Sequence, residues 1–310
     1  MIRKILLALG IVAALAVTVT TINYFRWSSQ AFEELQAASN IVDTQAGTIE
    51  YVMKGDKGPV VLFLHGTPGG YEQSTLEDPD FIVLSPSRPG YLRTPLDVGR
   101  SPAEQAKAYV ALLDELQIES VIVVGASGGG PSAISFAALF PERARALIAI
   151  EAVSMSTEIP EIPGFMDSDF LVWLVMSLVD LMPDKEALAI VIPNPVNQQR
   201  ALETPEKIKV IRRMMWSLWP ASLRGAGTKN DFEQFQTLAL PVDQIRVPTL
   251  VIHGTEDINV DFSHGQLLAD TVANTQFHVV EGADHMMPFT HEEEVNGVIT
   301  EFIERVLHLQ

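Results

Sequence analysis

The sequence predicts an α/β protein: a mostly parallel central sheet flanked by helices, with a helical insertion after the sixth strand. Three observations carry that expectation. Short apolar runs recur at VVLFL, FIVLS, VIVVGAS, ALIAIEAV, TLVIHG and QFHVV, and several alternate with helical spacing, as βα units feeding a parallel sheet do. VVLFL and VIVVG lack the polar alternation of a half-exposed strand, so both faces of the sheet should be covered. Residues 154–244 show no parallel-strand signal and instead carry helical patterns at FLVWLVMSLVDLM and IKVIRRMMWSLW.

At the N-terminus, Arg3 and Lys4 precede the run ILLALGIVAALAV, which continues to Phe25 before Arg26 and Trp27 close it. Two fates fit. The dense part, residues 5–17, has signal-peptide proportions, and Ala14-Leu15-Ala16 resembles a small-residue cleavage site. Extended to Phe25, the run would span roughly 31 Å as a helix, enough to cross a bilayer core, with Tyr24 and Trp27 at interfacial depth. Residues 1–27 are therefore expected to be a membrane anchor or a signal segment. The basic end would stay cytoplasmic and the following domain would lie outside, tethered or released by cleavage.

Residues 28–40, SSQAFEELQAASN, read as a polar linker with partial helical character, and the domain is expected to fill 41–310. IVDTQA and TIEYVMK flank Gly47 as a hairpin would, and GDKGP turns the chain into VVLFLHG. Ser101-Pro102-Ala103-Glu104 combines a capping serine, a first-turn proline and a third-position acid, so AKAYVALLDELQ should be a helix. A closing helix is expected in EEEVNGVITEFIERVLHL, where Val295, Val298, Ile299, Phe302, Ile303 and Val306 share one face. The insertion at about 154–244 holds three of the four tryptophans and six of the ten methionines, a composition suited to an adaptable apolar lining or to simple helix packing.

Composition removes several function classes. With 310 residues, 47% hydrophobic and 19% charged, the chain can bury one large core. Lys plus Arg number 21 against 39 Asp plus Glu, and the net charge of −18 repels polyanions, which argues against nucleic-acid partners. No cysteine is present, so disulfides, thiolate metal sites and cysteine nucleophiles are excluded. HExxH, GK[ST] and GxGxxG-plus-acid signatures are likewise missing, and the chemistry read below needs no metal or organic cofactor.

The most specific motif is VIVVGASGGG, an apolar strand running into Gly125-Ala126-Ser127-Gly128-Gly129 and then into the helical PSAISFAALF. Small residues around Ser127 permit a sharp strand-to-helix turn that exposes its oxygen, the pattern of a nucleophile elbow. A serine hydroxyl needs a base to take its proton, and that base needs an acid to orient it. Both follow in order: Asp257 in GTED after one strand and His285 in GADH after the next. HGTPGG, residues 65–70, follows the strand VVLFL and offers the N–H of Thr67 to an oxyanion, with that of Gly128 as the second donor, since Pro68 has none. His65 is expected to shape that loop rather than act as a base.

HGTPGG, SRPGY, GASGGG, GTED and GADH, spread from about Ile41 to the C-terminus, resemble the α/β-hydrolase superfamily. The resemblance implies that Ser127, Asp257 and His285 form a triad, that Thr67 and Gly128 supply the oxyanion hole, and that a helical cap follows the sixth strand. The HG motif and cap are also similar to the proline iminopeptidase branch, although the elbow lacks the tryptophan that commonly follows the serine there. A serine nucleophile separates the chain from the dehalogenase and epoxide hydrolase branches, which carry aspartate. The expected activity is hydrolysis of a small, uncharged, partly apolar ester through an acyl-enzyme. The alternatives are an aminopeptidase or amidase of the iminopeptidase type, and an inactive membrane-tethered binding protein.

Overall fold

The computed structural model describes residues 1–74, 80–159 and 163–308, and divides into two compact units, Met1–Asn40 and Ile41–Gln310. The first unit is one helix, α1 (Ile2–Ala37), of 36 residues. Its apolar side chains, among them Leu6, Ile11, Leu15, Val19 and Phe25, are exposed, so no single stripe faces a protein core. The helix is long and apolar enough to cross a membrane. It does not stop at Trp27: residues 28–37 contain neither Gly nor Pro and are rich in Ala, Glu and Gln, and Gln30 donates to Glu34 one turn on at 2.7 Å.

The second unit is built on eight strands: β1 (Asn40–Thr44), β2 (Gly47–Lys54), β3 (Val60–Leu64), β4 (Ile82–Pro86), β5 (Val121–Ala126), β6 (Ala144–Ile150), β7 (Thr249–Gly254) and β8 (Thr275–Val280). Their order across the sheet is β1-β2-β4-β3-β5-β6-β7-β8. β2 runs antiparallel to β4, and every pairing from β4 to β8 is parallel. Each of the six short apolar runs named for the sheet falls on one of the strands β3 to β8. Chain order reverses beside β3: the chain leaves β3 for β4 on one side and crosses from β4 to β5 on the other, and crevices at such switch points are where open α/β sheets bind ligands.

Because side chains alternate across a strand, the sheet divides its apolar residues between two cores. Leu62, Leu64, Val121, Val123, Leu147, Ala149 and Val251 pack with Leu112, Ile134, Phe136 and Leu268. Those partners belong to α2 (Pro102–Glu115), α3 (Gly130–Leu139) and a third helix near the C-terminal end of β7. Val61, Phe63, Ile122, Val124, Ile148, Ile150 and Ile252 face the other way, against Val295, Ile299, Phe302, Ile303 and Val306. Truncating one such fully buried leucine to alanine costs about 2–5 kcal/mol. The α2 capping box forms as expected, with Ser101 accepting from the Glu104 N–H and the Glu104 carboxylate accepting from Ser101 N–H at 2.9 Å.

Between β6 and β7 lie α4 (Asp169–Asp180), α5 (Asp184–Leu188), α6 (Pro195–Ala201), α7 (Pro205–Met215) and α8 (Gly225–Phe235). The helix after β7 is α9 (Ser263–Thr271), and α10 (Met287–Thr290) leads into the closing α11 (Glu292–His308). Leu309, at the end of the predicted closing pattern, lies outside the described residues, as do 160–162 within the insertion. The insertion is tied to the sheet's C-terminal edge. Leu188, Ile192 and Ile211 pack with Met286 and Phe289, and Asn197 donates to the Gly282 carbonyl at 2.9 Å.

Candidate active site

Strand register brings the candidate residues to one edge. Leu64 of β3 pairs with Gly125 of β5, and Ala126 pairs with Ile150 of β6, so the residues that follow, His65, Ser127 and Glu151, leave adjacent strand ends. Ser127 has φ +49°, a left-handed conformation that a side-chain-bearing residue rarely adopts. Its neighbours make room for the turn: a Cβ at Gly125 would lie 2.5 Å from Ala133 Cβ, and one at Gly129 would lie 2.1 Å from the Leu64 carbonyl oxygen. Only glycine fits either position.

Past β8 the chain turns at Gly282 and presents His285, whose Nε2 lies 3.1 Å from Ser127 Oγ and whose Nδ1 lies 2.7 Å from Asp257 Oδ2. A carboxylate accepts, so Nδ1 carries the imidazole proton and Nε2 is left to accept from the Ser127 hydroxyl. Asp257 is itself held: its Oδ1 accepts from the N–H groups of Asn259 and Val260 at 2.9 and 3.0 Å. All three residues proposed from the sequence, carried on three separate loops, therefore meet in one hydrogen-bonded line.

The HGTPGG loop packs against the elbow. A Cβ at Gly66 would sit 3.4 Å from Ser127 Cβ, and one at Gly128 would sit 2.0 Å from Thr67 Oγ1 and 3.2 Å from Thr67 N. The backbones of Thr67 and Gly128 are thus in direct apposition beside the serine. Among the described residues, neither of their N–H groups is engaged in a turn or loop hydrogen bond. Thr67 and Gly128 stay adjacent, as an oxyanion pair requires.

Residues 61–298 match the family model described as Alpha/beta hydrolase family. The chain belongs to that family. It is 28% identical over 276 residues to the uncharacterized hydrolase YcgS of Bacillus subtilis, covering 83% of this chain and 95% of that one. It is 23% identical over 278 residues to the 2-hydroxy-6-oxononadienedioate/2-hydroxy-6-oxononatrienedioate hydrolase of Klebsiella pneumoniae, covering 81% of this chain and 89% of the relative. Among solved structures, an alpha/beta hydrolase fold protein from Nakamurella multipartita superimposes with a TM-score of 0.71 at 26% identity, over 86% of this chain and 98% of that one.

Charge distribution in this alpha/beta hydrolase distinguishes three buried carboxyls near His285. Burial works to raise the pKa of Asp257, but the hydrogen bond and charge of His285 and the two backbone N–H groups outweigh it, so the group is held below the usual carboxylate range. Glu151 is the opposite case: burial first, then the charges of Asp257 and Asp284, push its carboxyl well above the usual range. Its Oε2 lies 3.8 Å from His285 Nδ1, its Oε1 has no hydrogen-bond partner, and its backbone sits at φ +47°. Asp284 is 1% exposed and accepts from the Met286 N–H through Oδ1 at 3.1 Å. One ligand atom each from Glu151, Asp257 and His285 lies within 4.8 Å of the others.

His65 is fully buried, and its pKa is lowered well below the usual imidazole value by burial and by the charge of Arg88. Its Nδ1–H donates to the Gly66 carbonyl at 2.8 Å and its Nε2 accepts from the Arg88 N–H at 2.9 Å, so one nitrogen is engaged within the loop and the other ties the loop to the turn after β4. Two residues near the site had no sequence signal, Glu151 and Asp231. Glu151 follows a strand whose end reads as any βα edge does, and Asp231 sits in NDFEQF, which reads as a solvated helix face.

Proposed function

We propose that this chain is a serine hydrolase that cleaves a small, uncharged, partly apolar carboxylic ester by an acyl-enzyme route. The observation that carries the proposal is the continuous line from Ser127 Oγ through His285 to Asp257, at 3.1 and 2.7 Å. Ser127 Oγ attacks the ester carbonyl carbon as its proton passes to His285 Nε2, and Asp257 stabilises the imidazolium that forms without taking a proton. The carbonyl oxygen becomes an oxyanion, met by the N–H groups of Thr67 and Gly128, each such donor being worth about 10²–10³-fold in rate. Collapse breaks the C–O bond to the alcohol, which leaves with the proton from His285. A water then gives its proton to His285, adds to the acyl carbon, and releases the acid and Ser127.

An uncharged substrate is favoured because the chain carries net charge −18, a field that disfavours anionic ligands. The insertion contributes buried apolar residues at this end of the sheet, among them Leu188, Ile192 and Ile211 packed with Met286 and Phe289. In the same reading α1 anchors the protein in a membrane, with Arg3 and Lys4 on the cytoplasmic side and residues 41–310 outside.

The test is a comparison of p-nitrophenyl acyl esters of increasing chain length with a proline-linked chromogenic amide, using the full chain in detergent. Turnover of short to medium acyl esters at least tenfold above the amide is expected. Preference for the amide would replace the ester reading with the aminopeptidase one.

A further inference from the structure

One buried carboxylate beside the site comes from the insertion rather than from the sheet. α8 lies close against the turn that holds Arg88 and Tyr91: the Gly227 N–H donates to the Gly90 carbonyl at 2.9 Å, and a Cβ at Gly227 would lie 2.3 Å from the Tyr91 ring. Four residues further along the same helix, Asp231 points inward and is 3% exposed. Its Oδ2 accepts from the Thr67 hydroxyl at 2.5 Å, from the Tyr91 hydroxyl at 2.6 Å and from Arg88 Nη2, while Oδ1 accepts from Arg88 Nη1 at 3.0 Å.

Arg88 is 1% exposed and also donates to the oxyanion loop: Nε to the His65 carbonyl at 2.8 Å, and Nη2, shared with Asp231, to the Gly66 carbonyl at 3.2 Å and to Thr67 Oγ1 at 2.9 Å. The Thr67 hydroxyl therefore donates to one member of a buried ion pair and accepts from the other, which fixes its side-chain rotamer and, through it, the peptide it belongs to. Stability alone does not require this arrangement, because a buried ion pair is often replaceable by packed apolar residues without loss. What apolar residues would not supply is the two-sided hold on Thr67.

We propose that Asp231 is a positioning residue for the oxyanion loop, holding Thr67 against Gly128 through the Thr67 hydroxyl, so that the helical insertion sets the geometry of transition-state stabilisation. The inference rests on the serine hydrolase reading above. It makes catalytic rate, more than substrate affinity, depend on a side chain that never touches the substrate.

The experiment uses the full chain in detergent as wild type, Thr67→Val, Asp231→Asn and the double variant Arg88→Met/Asp231→Leu. For each, kcat and KM on p-nitrophenyl butyrate are measured with the inhibition constant of a propyl trifluoromethyl ketone, which forms a tetrahedral oxyanion on serine, and with Tm. Thr67→Val keeps the ion pair and the shape of the side chain, so it reports even if Asp231→Asn does not fold. The expected result is a fall in kcat of about 10- to 100-fold in Thr67→Val, KM within about threefold, and ketone binding weakened by the same factor as kcat. The double variant should fold with a Tm near wild type yet remain slow. The proposal is overturned if folded Thr67→Val keeps kcat and ketone affinity within twofold of wild type, or if the double variant regains full kcat. Wild type that neither turns over the ester nor binds the ketone overturns the hydrolase reading itself, a distinct result.

Discussion

Glu151 Oε2 lies 3.8 Å from His285 Nδ1, the nitrogen whose hydrogen bond goes to Asp257. Two carboxyls thus face one imidazole nitrogen, and their surroundings push them in opposite directions: Asp257 toward the ionised form, Glu151 toward the protonated one. Two like charges so close in a buried site oppose joint ionisation, which is how environment divides roles between neighbouring acids.

Stability should register this division. The folded state binds the Glu151 proton more tightly than the unfolded chain does, so its contribution is complete below the ordinary glutamate pKa and is lost as pH rises from there through the raised folded value. Glu151→Gln removes that loss. The Tm of the variant minus that of wild type should therefore grow as pH is raised from 4 to 8. A pH-independent difference would contradict the assignment.

Asp257 has the opposite sign. Its folded pKa is depressed, so it stabilises the protein above the ordinary aspartate value, and this contribution is lost as pH falls through the folded value. Asp257→Asn should flatten the acid side of the stability profile measured by urea denaturation. It should also lower kcat roughly 10³–10⁴-fold, because asparagine no longer holds the imidazole in the required tautomer.

The contact of Gly128 with Thr67 leaves no space for a methyl group. A Cβ there would meet Thr67 Oγ1 at 2.0 Å and Thr67 Cβ at 2.8 Å, so Gly128→Ala must displace the loop. A fall in kcat of about 100-fold is expected for a displacement near 1 Å. Measured by steady-state kinetics and circular dichroism together, activity should be lost while the fold persists.

Breaking the Arg88–Asp231 pair from one side should be costly. Arg88→Met leaves the Asp231 carboxylate buried without its cation, a change worth about 3–5 kcal/mol of destabilisation in chemical denaturation. Adding Asp231→Leu should recover most of that loss.

Most of the sheet was legible because parallel strands covered on both faces read as unbroken apolar runs, and each of the six short runs beyond Ile41 became one strand. The elbow, Asp257 and His285 were legible for a related reason: each follows such a run, and glycine marks the turn between. Glu151 was not, because its burial depends on Ala126 pairing with Ile150, a register between strands that no local pattern encodes. Asp231 lies 164 residues from Thr67, its partner, and nothing in a helix-forming NDFEQF announces an inward acid. The segment 28–40 reads as a linker because it is polar, but polarity does not end a helix; without a Gly or Pro, α1 runs on to Ala37.

The central claim is that His285 and Asp257 activate Ser127 as a nucleophile. Full-length protein in detergent, treated with a fluorophosphonate and digested for mass spectrometry, should carry one phosphonyl adduct on the peptide containing Ser127, absent in Ser127→Ala and slowed at least 100-fold in His285→Ala. Folded wild-type protein that stays unlabelled, or an adduct that survives Ser127→Ala, would contradict it.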